Sequence, residues 1–267
     1  MPRQARSPSP LLFFVLVYAF AIPIWIAGSA TDIMILPGLP IASLMVICPI
    51  TAGLLLKYRE SGIAGVIALL KRAYDFDRIT TKLWYLPVVL IPPGVFALSW
   101  AVLRYEGTAV PIPQFSTLSI LTLFLMFLVA AFCEELGWSG YVIDPMQQRL
   151  GALRASVLLG VIWAVIHFVP LLQAHRPFIW ILWWSLGTIA IRVVMVWLFN
   201  NTGKSVFAMT LTHALSNLSW QIFPVHGSYF DPRINAAIWI TLAAIVTVIW
   251  GPRTLAGFRM PQSSPTK

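Results

Sequence analysis

Residues 115–143 read FSTLSILTLFLMFLVAAFCEELGWSGYVI, a mainly apolar run that carries two adjacent carboxylates, Glu134 and Glu135. A helix rises about 1.5 Å per residue, so roughly 20 apolar residues cross the hydrocarbon core of a bilayer. This run exceeds that length without the alternation of polar and apolar residues that a barrel strand would show. It reads as a transmembrane helix long enough to tilt or to leave the membrane before its end. A charged side chain at that depth costs roughly 2.5–3.5 kcal/mol on insertion scales, and neighbouring charges cost more unless paired. Interhelical hydrogen-bonding glue returns only about 0.6–2 kcal/mol per bond, and Ser, Thr or Asn would supply it more cheaply. The pair therefore points to function.

Working outward, seven further runs have a similar character: about 11–30, 34–56, 83–103, 154–172, 178–199, 204–223 and 234–250. The second is interrupted by Pro37, Gly38, Pro40 and Pro49. The chain has 267 residues, 59% hydrophobic and 10% charged, with a mean hydropathy of +0.83. A soluble domain carries about 25% charged residues, so this composition excludes a water-solvated globule. The expected fold is an all-α polytopic membrane protein of about eight transmembrane helices, forming one membrane domain over residues 1–267. Arg3 and Arg6 before the first run, with Ala-Gly-Ser-Ala at 27–30, would also suit a signal peptide. A signal h-region is about 7–15 residues, shorter than this run, which is read as a retained helix.

The formal charge of +9 does not imply a nucleic-acid partner, because its distribution follows the helices. With the N-terminus inside and eight alternating spans, the inner segments hold Arg3, Arg6, Lys57, Arg59, Lys71, Arg72, Arg78, Lys82, Arg149, Arg154, Lys204, Arg253, Arg259 and Lys267. The outer loops hold Arg104, Arg176 and Arg233, and Arg192 lies within a helix. That asymmetry is the positive-inside pattern and places both termini inside. The partner implied is the lipid bilayer. Residues 62–70 are expected to form a short interfacial helix, and Trp180, Trp183 and Trp184 an interfacial aromatic belt. Cys48 and Cys133 both fall in apolar runs and give no disulfide framework.

Three other polar groups share the depth of the glutamates. His167 lies roughly 20 Å beyond Arg154 along its helix. His213 lies roughly 13 Å beyond Lys204, and Asn217, four residues later, projects from the same helix face. Glu134 and His167 could hold and deprotonate a water, with His213 and Asn217 donating to the oxyanion of a tetrahedral intermediate. Glu134, His167 and His213 could equally bind one divalent metal such as zinc, and the residues leave both readings open. The His-Glu-x-x-His segment of the common zinc proteases is absent, and no Gly-x-Ser-x-Gly elbow surrounds Ser216 or Ser219.

These motifs resemble the CPBP family of intramembrane endopeptidases, which contains the type II CAAX prenyl proteases and bacterial relatives tied to bacteriocin processing and self-immunity. The family signature is Glu-Glu-x-x-x-Arg, Phe-x-x-x-His and His-x-x-x-Asn. The corresponding residues here are Glu134-Glu135-x-x-x-Ser139, Trp163-x-x-x-His167 and His213-x-x-x-Asn217, in the same order on three helices. The protease-like core spans about residues 130–220. The resemblance implies a bacterial intramembrane endopeptidase, metalloprotease or glutamate-type, acting on a peptide or membrane-protein substrate. Its site would be reached from the cytoplasmic side of the inner membrane. Glu134, His167, His213 and Asn217 would be catalytic, and Glu135, Arg192, Ser139 and Trp163 supporting.

Two positions depart from the signature. Trp163 for Phe preserves an aromatic wall. Ser139 replaces an arginine that would face Glu135 one helical turn away. Arg192, at the same depth, is expected either to replace that counter-ion or to snorkel to the inner interface. The missing arginine also raises a non-catalytic immunity or scaffold relative as an alternative. A proton- or cation-coupled transporter would predict repeated half-chains, which are not found.

Overall fold

A computed structural model describes residues 8–112, 114–224 and 226–257. Arg3, Arg6, Arg259 and Lys267 of the inner basic set, and the two terminal tails, lie outside the described residues. The chain is almost wholly helical: α1 (Pro10–Ser29), α2 (Ile47–Lys71), α3 (Tyr85–Tyr105), α4 (Thr117–Gly137), α5 (Ile143–Leu150), α6 (Ala152–Ile166), α7 (Phe168–Gln173), α8 (Phe178–Asn201), α9 (Val206–Gln221) and α10 (Pro232–Trp250). Among the described residues, seven helical stretches are long and apolar enough to cross a membrane. The eighth expected run is α9, whose 16 residues are sheltered by its neighbours. Around the bundle, side chains such as Leu11, Val129 and Val248 are 64–77% exposed. That surface suits lipid and would aggregate in water.

The second run departs from expectation at its start. Met34–Leu36 (β1) and Leu39–Pro40 (β2) form a small antiparallel hairpin. Pro37 and Gly38 make its turn, with Gly38 at φ +80°. A 3-10 turn over Ile41–Val46 leads into α2, which continues to Lys71 instead of ending near residue 56. Its backbone breaks at Gly62 (φ 63°), so residues 63–71 form a segment distinct from the rest of α2. Lys57 and Glu60 pair at 2.9 Å, and the Tyr141 hydroxyl donates to Glu60 at 2.6 Å. These bonds let charged residues stay within a helix that continues past them.

Helices in lipid gain little from hydrophobic burial, so close packing and polar bonds decide their association. The α2–α4 contact is backbone to backbone: a Cβ on Gly137 would lie 2.5 Å from the Pro49 carbonyl oxygen. The α6–α8 contact is similar, since a Cβ on Gly160 would meet the Ile189 Cα at 2.9 Å. Helix α1 packs Phe13, Val17 and Ala21 into the core. Phe13 lies edge-on to Trp138 and stacked on Tyr141, with ring centroids 5.4 and 5.3 Å away.

The loops gather at two ends. At one end Arg72 donates to the carbonyls of Gly140 and Lys204, and Lys204 pairs with Asp144 at 2.8 Å. The chain after α10 joins the same end, where Arg253 O accepts from Ala152 N and Thr254 O from Asn200. At the other end Gln173 donates to Ser29 at 2.8 Å. There Trp180 also meets Phe230 at 5.7 Å between ring centroids.

Candidate active site

Glu134 and Glu135 sit in the last turn of α4, followed by one π-helical turn over Trp138–Val142. Such π turns mark functional segments of helices. Both carboxylates are buried, yet their surroundings differ. One oxygen of Glu134, Oε2, accepts from two indoles, Trp138 Nε1 at 3.1 Å and Trp163 Nε1 at 2.8 Å. The other, Oε1, faces His213 Nε2 at 3.9 Å. One half of the carboxylate is held and the other is left for a ligand.

Glu135 is 0% exposed and fully paired. Arg192 donates from both terminal nitrogens, at 3.0 and 3.1 Å, in a bidentate fork. The Ser139 hydroxyl donates to Oε2 and His213 Nδ1 to Oε1, the latter at 3.0 Å. A carboxylate only accepts, so His213 carries its proton on Nδ1 and turns Nε2 toward Glu134. Arg192 is 1% exposed. It therefore does not reach an interface, and it fills the role of the counter-ion missing at position 139. Its guanidinium also lies 4.1 Å from the centre of the Trp163 ring, a stabilising cation–π geometry.

Trp163 thus joins the two halves of the site. It donates to Glu134, carries Arg192 on its face, and meets the His213 and His167 rings edge-on at 5.2 and 5.8 Å. His167 ends α6, with its Nδ1 2.7 Å from the Trp163 carbonyl. Since a carbonyl accepts, Nδ1 is the protonated nitrogen and the Nε2 lone pair is free. Among the described residues no hydrogen bond or ion pair joins His167 to Glu134. His213 approaches Glu134 at 3.9 Å, while His167 lines the same cavity.

Glu134, His167, His213 and Asn217 line one cavity of about 290 Å³. Asn217 makes no side-chain hydrogen bond within the described protein. From this polar floor the cavity runs between α4, α8 and α9 to the β1–β2 hairpin, Arg176 and Phe230. Trp180 and Trp184 form its wall, with Trp184 5.3 Å from His167 and Trp180 under the Arg176 guanidinium at 4.9 Å. Of the three tryptophans expected in an interfacial belt, Trp180 and Trp184 line the cavity. Trp138 was not singled out from the sequence. Its position one turn after Glu134, in a helix with few other donors, was the available signal.

The metal reading requires Glu134, His167 and His213 to converge. Among the described residues no three His, Cys, Asp or Glu side chains come close enough to hold a metal ion. Two indoles hold Glu134 Oε2 and Glu135 holds His213 Nδ1, so Glu134 Oε1 and the two histidine Nε2 atoms are the donors left, and as arranged the three side chains do not gather around one ion.

A family model described as Type II CAAX prenyl endopeptidase Rce1-like matches residues 116–219. The matched segment starts at the N-cap of α4, ends within α9, and contains all eight residues singled out for the site. Beyond this segment the chain is similar to "CAAX prenyl protease 2" of Methanococcus maripaludis. The two are 27% identical over 266 residues, covering 89% of this chain and 93% of the relative.

Proposed function

We propose that the chain is an intramembrane endopeptidase in which Glu134 activates a water. The observation that carries this reading is the asymmetric environment of Glu134. Oε2 is clamped by Trp138 and Trp163, while Oε1 opens on the cavity opposite His213. Clamping one oxygen fixes the orientation of the other, which suits a general base that must meet a water in one geometry.

In this mechanism Glu134 Oε1 takes a proton from water as the oxygen attacks the scissile carbonyl. The Asn217 amide donates to the developing oxyanion, and His213, when it carries a second proton at Nε2, is the other donor. Glu135 accepts from His213 Nδ1 and fixes the orientation of its ring, while Arg192 and Ser139 hold Glu135 in place. Glu134 then returns its proton to the leaving amine. His167 presents its Nε2 lone pair beside the same cavity and positions substrate or water there. No step here requires a metal, and the arrangement of donors supports the glutamate-centred form. The similarity to proteins named for CAAX cleavage supports peptide-bond hydrolysis, and the substrate remains a peptide or membrane-protein segment of apolar character matching the tryptophan wall.

The test is a comparison of peptide profiles from membranes containing the wild type or Glu134→Gln. Wild-type membranes should yield cleavage products that the variant lacks. Identical profiles at equal protein levels would instead favour a non-catalytic immunity or scaffold role.

A further inference from the structure

The polar groups assigned to the chemistry come from α4, α9 and the end of α6. Another part of the same cavity wall is built by α8 and α10, through Trp184, Gly187, Thr188, Asn235 and Trp239. The two helices pack closely there, since a Cβ on Gly187 would lie 3.4 Å from the Ala236 Cα. Two of these wall residues have short polar side chains, and they differ. The Thr188 hydroxyl donates to the Trp184 carbonyl at 2.9 Å, within its own helix. Thr241 and Thr247 of α10 do the same, to the carbonyls of Ala237 and Ala243. Asn235 does not. It is 7% exposed, and its Nδ2 is enclosed without a hydrogen-bond partner among the described residues. An amide withdrawn from water and left unpaired costs about 1–3 kcal/mol. The usual use of such a residue in lipid is to bond a neighbouring helix, and Asn235 Nδ2 bonds none.

A peptide seated in this cavity brings a backbone N–H and C=O with almost every residue. Those groups, once desolvated, are as costly to leave unpaired as the Asn235 amide itself. A carboxamide carries an acceptor oxygen and a donor nitrogen, the same pair of groups that a peptide backbone presents. We propose that Asn235 binds the main chain of the substrate peptide, accepting from one backbone N–H and donating to one backbone C=O. This rests on the endopeptidase reading for its ligand class. Main-chain recognition accepts many side chains, so Asn235 fixes the register of the peptide without setting its sequence. It takes no part in the proton transfers at Glu134. Asn235 lies beyond residues 116–219, which the family model matches, and belongs to none of the three motifs.

The experiment measures binding to the full chain carrying Glu134→Gln, reconstituted in lipid nanodiscs, so that bound peptide is not consumed. The probe is the dansylated peptide Leu-Ala-Phe-Leu-Ala-Phe, together with a series singly N-methylated along its backbone. Binding is read as saturable energy transfer from the cavity tryptophans, above that of empty nanodiscs. Adding Asn235→Leu should weaken the parent peptide about fivefold or more, equivalent to roughly 1 kcal/mol of net hydrogen bonding. One N-methylated member should bind Glu134→Gln alone about as weakly, and should lose no further affinity when Asn235→Leu is added. Asn235→Ala, smaller than the amide, should give the same result, which separates the lost bond from any misfit of leucine. Both variants should hold or raise the thermal midpoint of the free protein, because no protein partner is lost. Unchanged affinity in both variants, additive penalties for every member of the series, or no saturable binding of the parent peptide would overturn the proposal. So would a fall of more than about 3 °C in both midpoints, which would place the amide in a bond within the fold. Binding needs no turnover: identical peptide profiles of wild type and Glu134→Gln would defeat the endopeptidase reading and leave peptide binding through Asn235 standing. Cleavage products from the wild type with unchanged binding in Asn235→Leu would do the reverse.

Discussion

At the scale of single residues, the two glutamates perform different tasks because their partners differ. Glu135 belongs to a buried charge cluster with Arg192, Ser139 and His213. Removing one member of a buried ion pair leaves an uncompensated charge and costs about 3–5 kcal/mol. Arg192→Leu should therefore lower the thermal midpoint in detergent steeply, and Glu135→Leu should do the same. The double variant should recover much of that loss, because neither charge is left unpaired. It should not recover turnover, since His213 loses its Nδ1 acceptor. Additive losses in a double-mutant cycle would show that the pair is not coupled. Trp163→Phe is milder: the aromatic wall remains, but one of two donors to Glu134 disappears. A hydrogen bond to a charged group is worth about 1.5–3 kcal/mol. A fall in kcat of roughly tenfold or more is expected, together with a fall in the thermal midpoint smaller than that of Arg192→Leu.

At the scale of elements, the depth of each site residue depends on how its helix is anchored. Helix α9 carries His213 and Asn217 and, at 16 residues, is shorter than each of the seven described stretches long enough to cross a membrane. Its N-terminus is capped from within by Ser205 and from outside by Asp75. The Asp75 carboxylate accepts from the Ser205 hydroxyl at 2.8 Å and from the backbone N–H of Val206 and Phe207 at 3.2 and 3.0 Å. A carboxylate there satisfies orphan N–H groups and complements the helix dipole. Arg72 and Arg78 flank Asp75 and also hold the Gly203 and Lys204 carbonyls. The segment after α2 is thus a clamp on the first turn of α9. Asp75→Ala should destabilise the protein by about 0.5–2 kcal/mol, the usual cost of a lost cap. It should also speed hydrogen exchange over residues 206–210. Unchanged exchange there would mean that Ser205 alone fixes the helix start. Gly203→Ala should act on the same joint, because a Cβ would lie 2.5 Å from the Arg78 carbonyl oxygen.

At the scale of the whole molecule, apolar run length made the helical architecture legible, because lipid demands long stretches whose backbone groups pair internally. The β1–β2 hairpin was not legible, since Met34, Ile35 and Leu36 are as apolar as the helix that follows. The extension of α2 was hidden by Lys57, Arg59 and Glu60, which read as a loop until Tyr141 is seen to bind Glu60. The site was legible in depth but not in rotation about each helix, so neither the Trp138 indole on Glu134 nor the approach of His213 to Glu134 can be read from the sequence. Rotation is set by packing between distant elements, and α1 shows how far such packing reaches. Its Phe13 is 0% exposed and lies against Trp138, which holds Glu134 Oε2. Truncating a buried phenylalanine leaves a cavity and costs about 3–5 kcal/mol. Phe13→Ala should therefore lower the thermal midpoint and, by freeing the Trp138 ring, reduce turnover beyond what the lost folded fraction explains. Leu11→Ala on the same helix is the control: Leu11 is 74% exposed toward lipid, and its truncation should shift stability by no more than about 0.5 kcal/mol. Equal turnover per folded molecule in wild type and Phe13→Ala would confine α1 to a packing role, whereas a selective loss of turnover makes the first helix part of what orients Glu134.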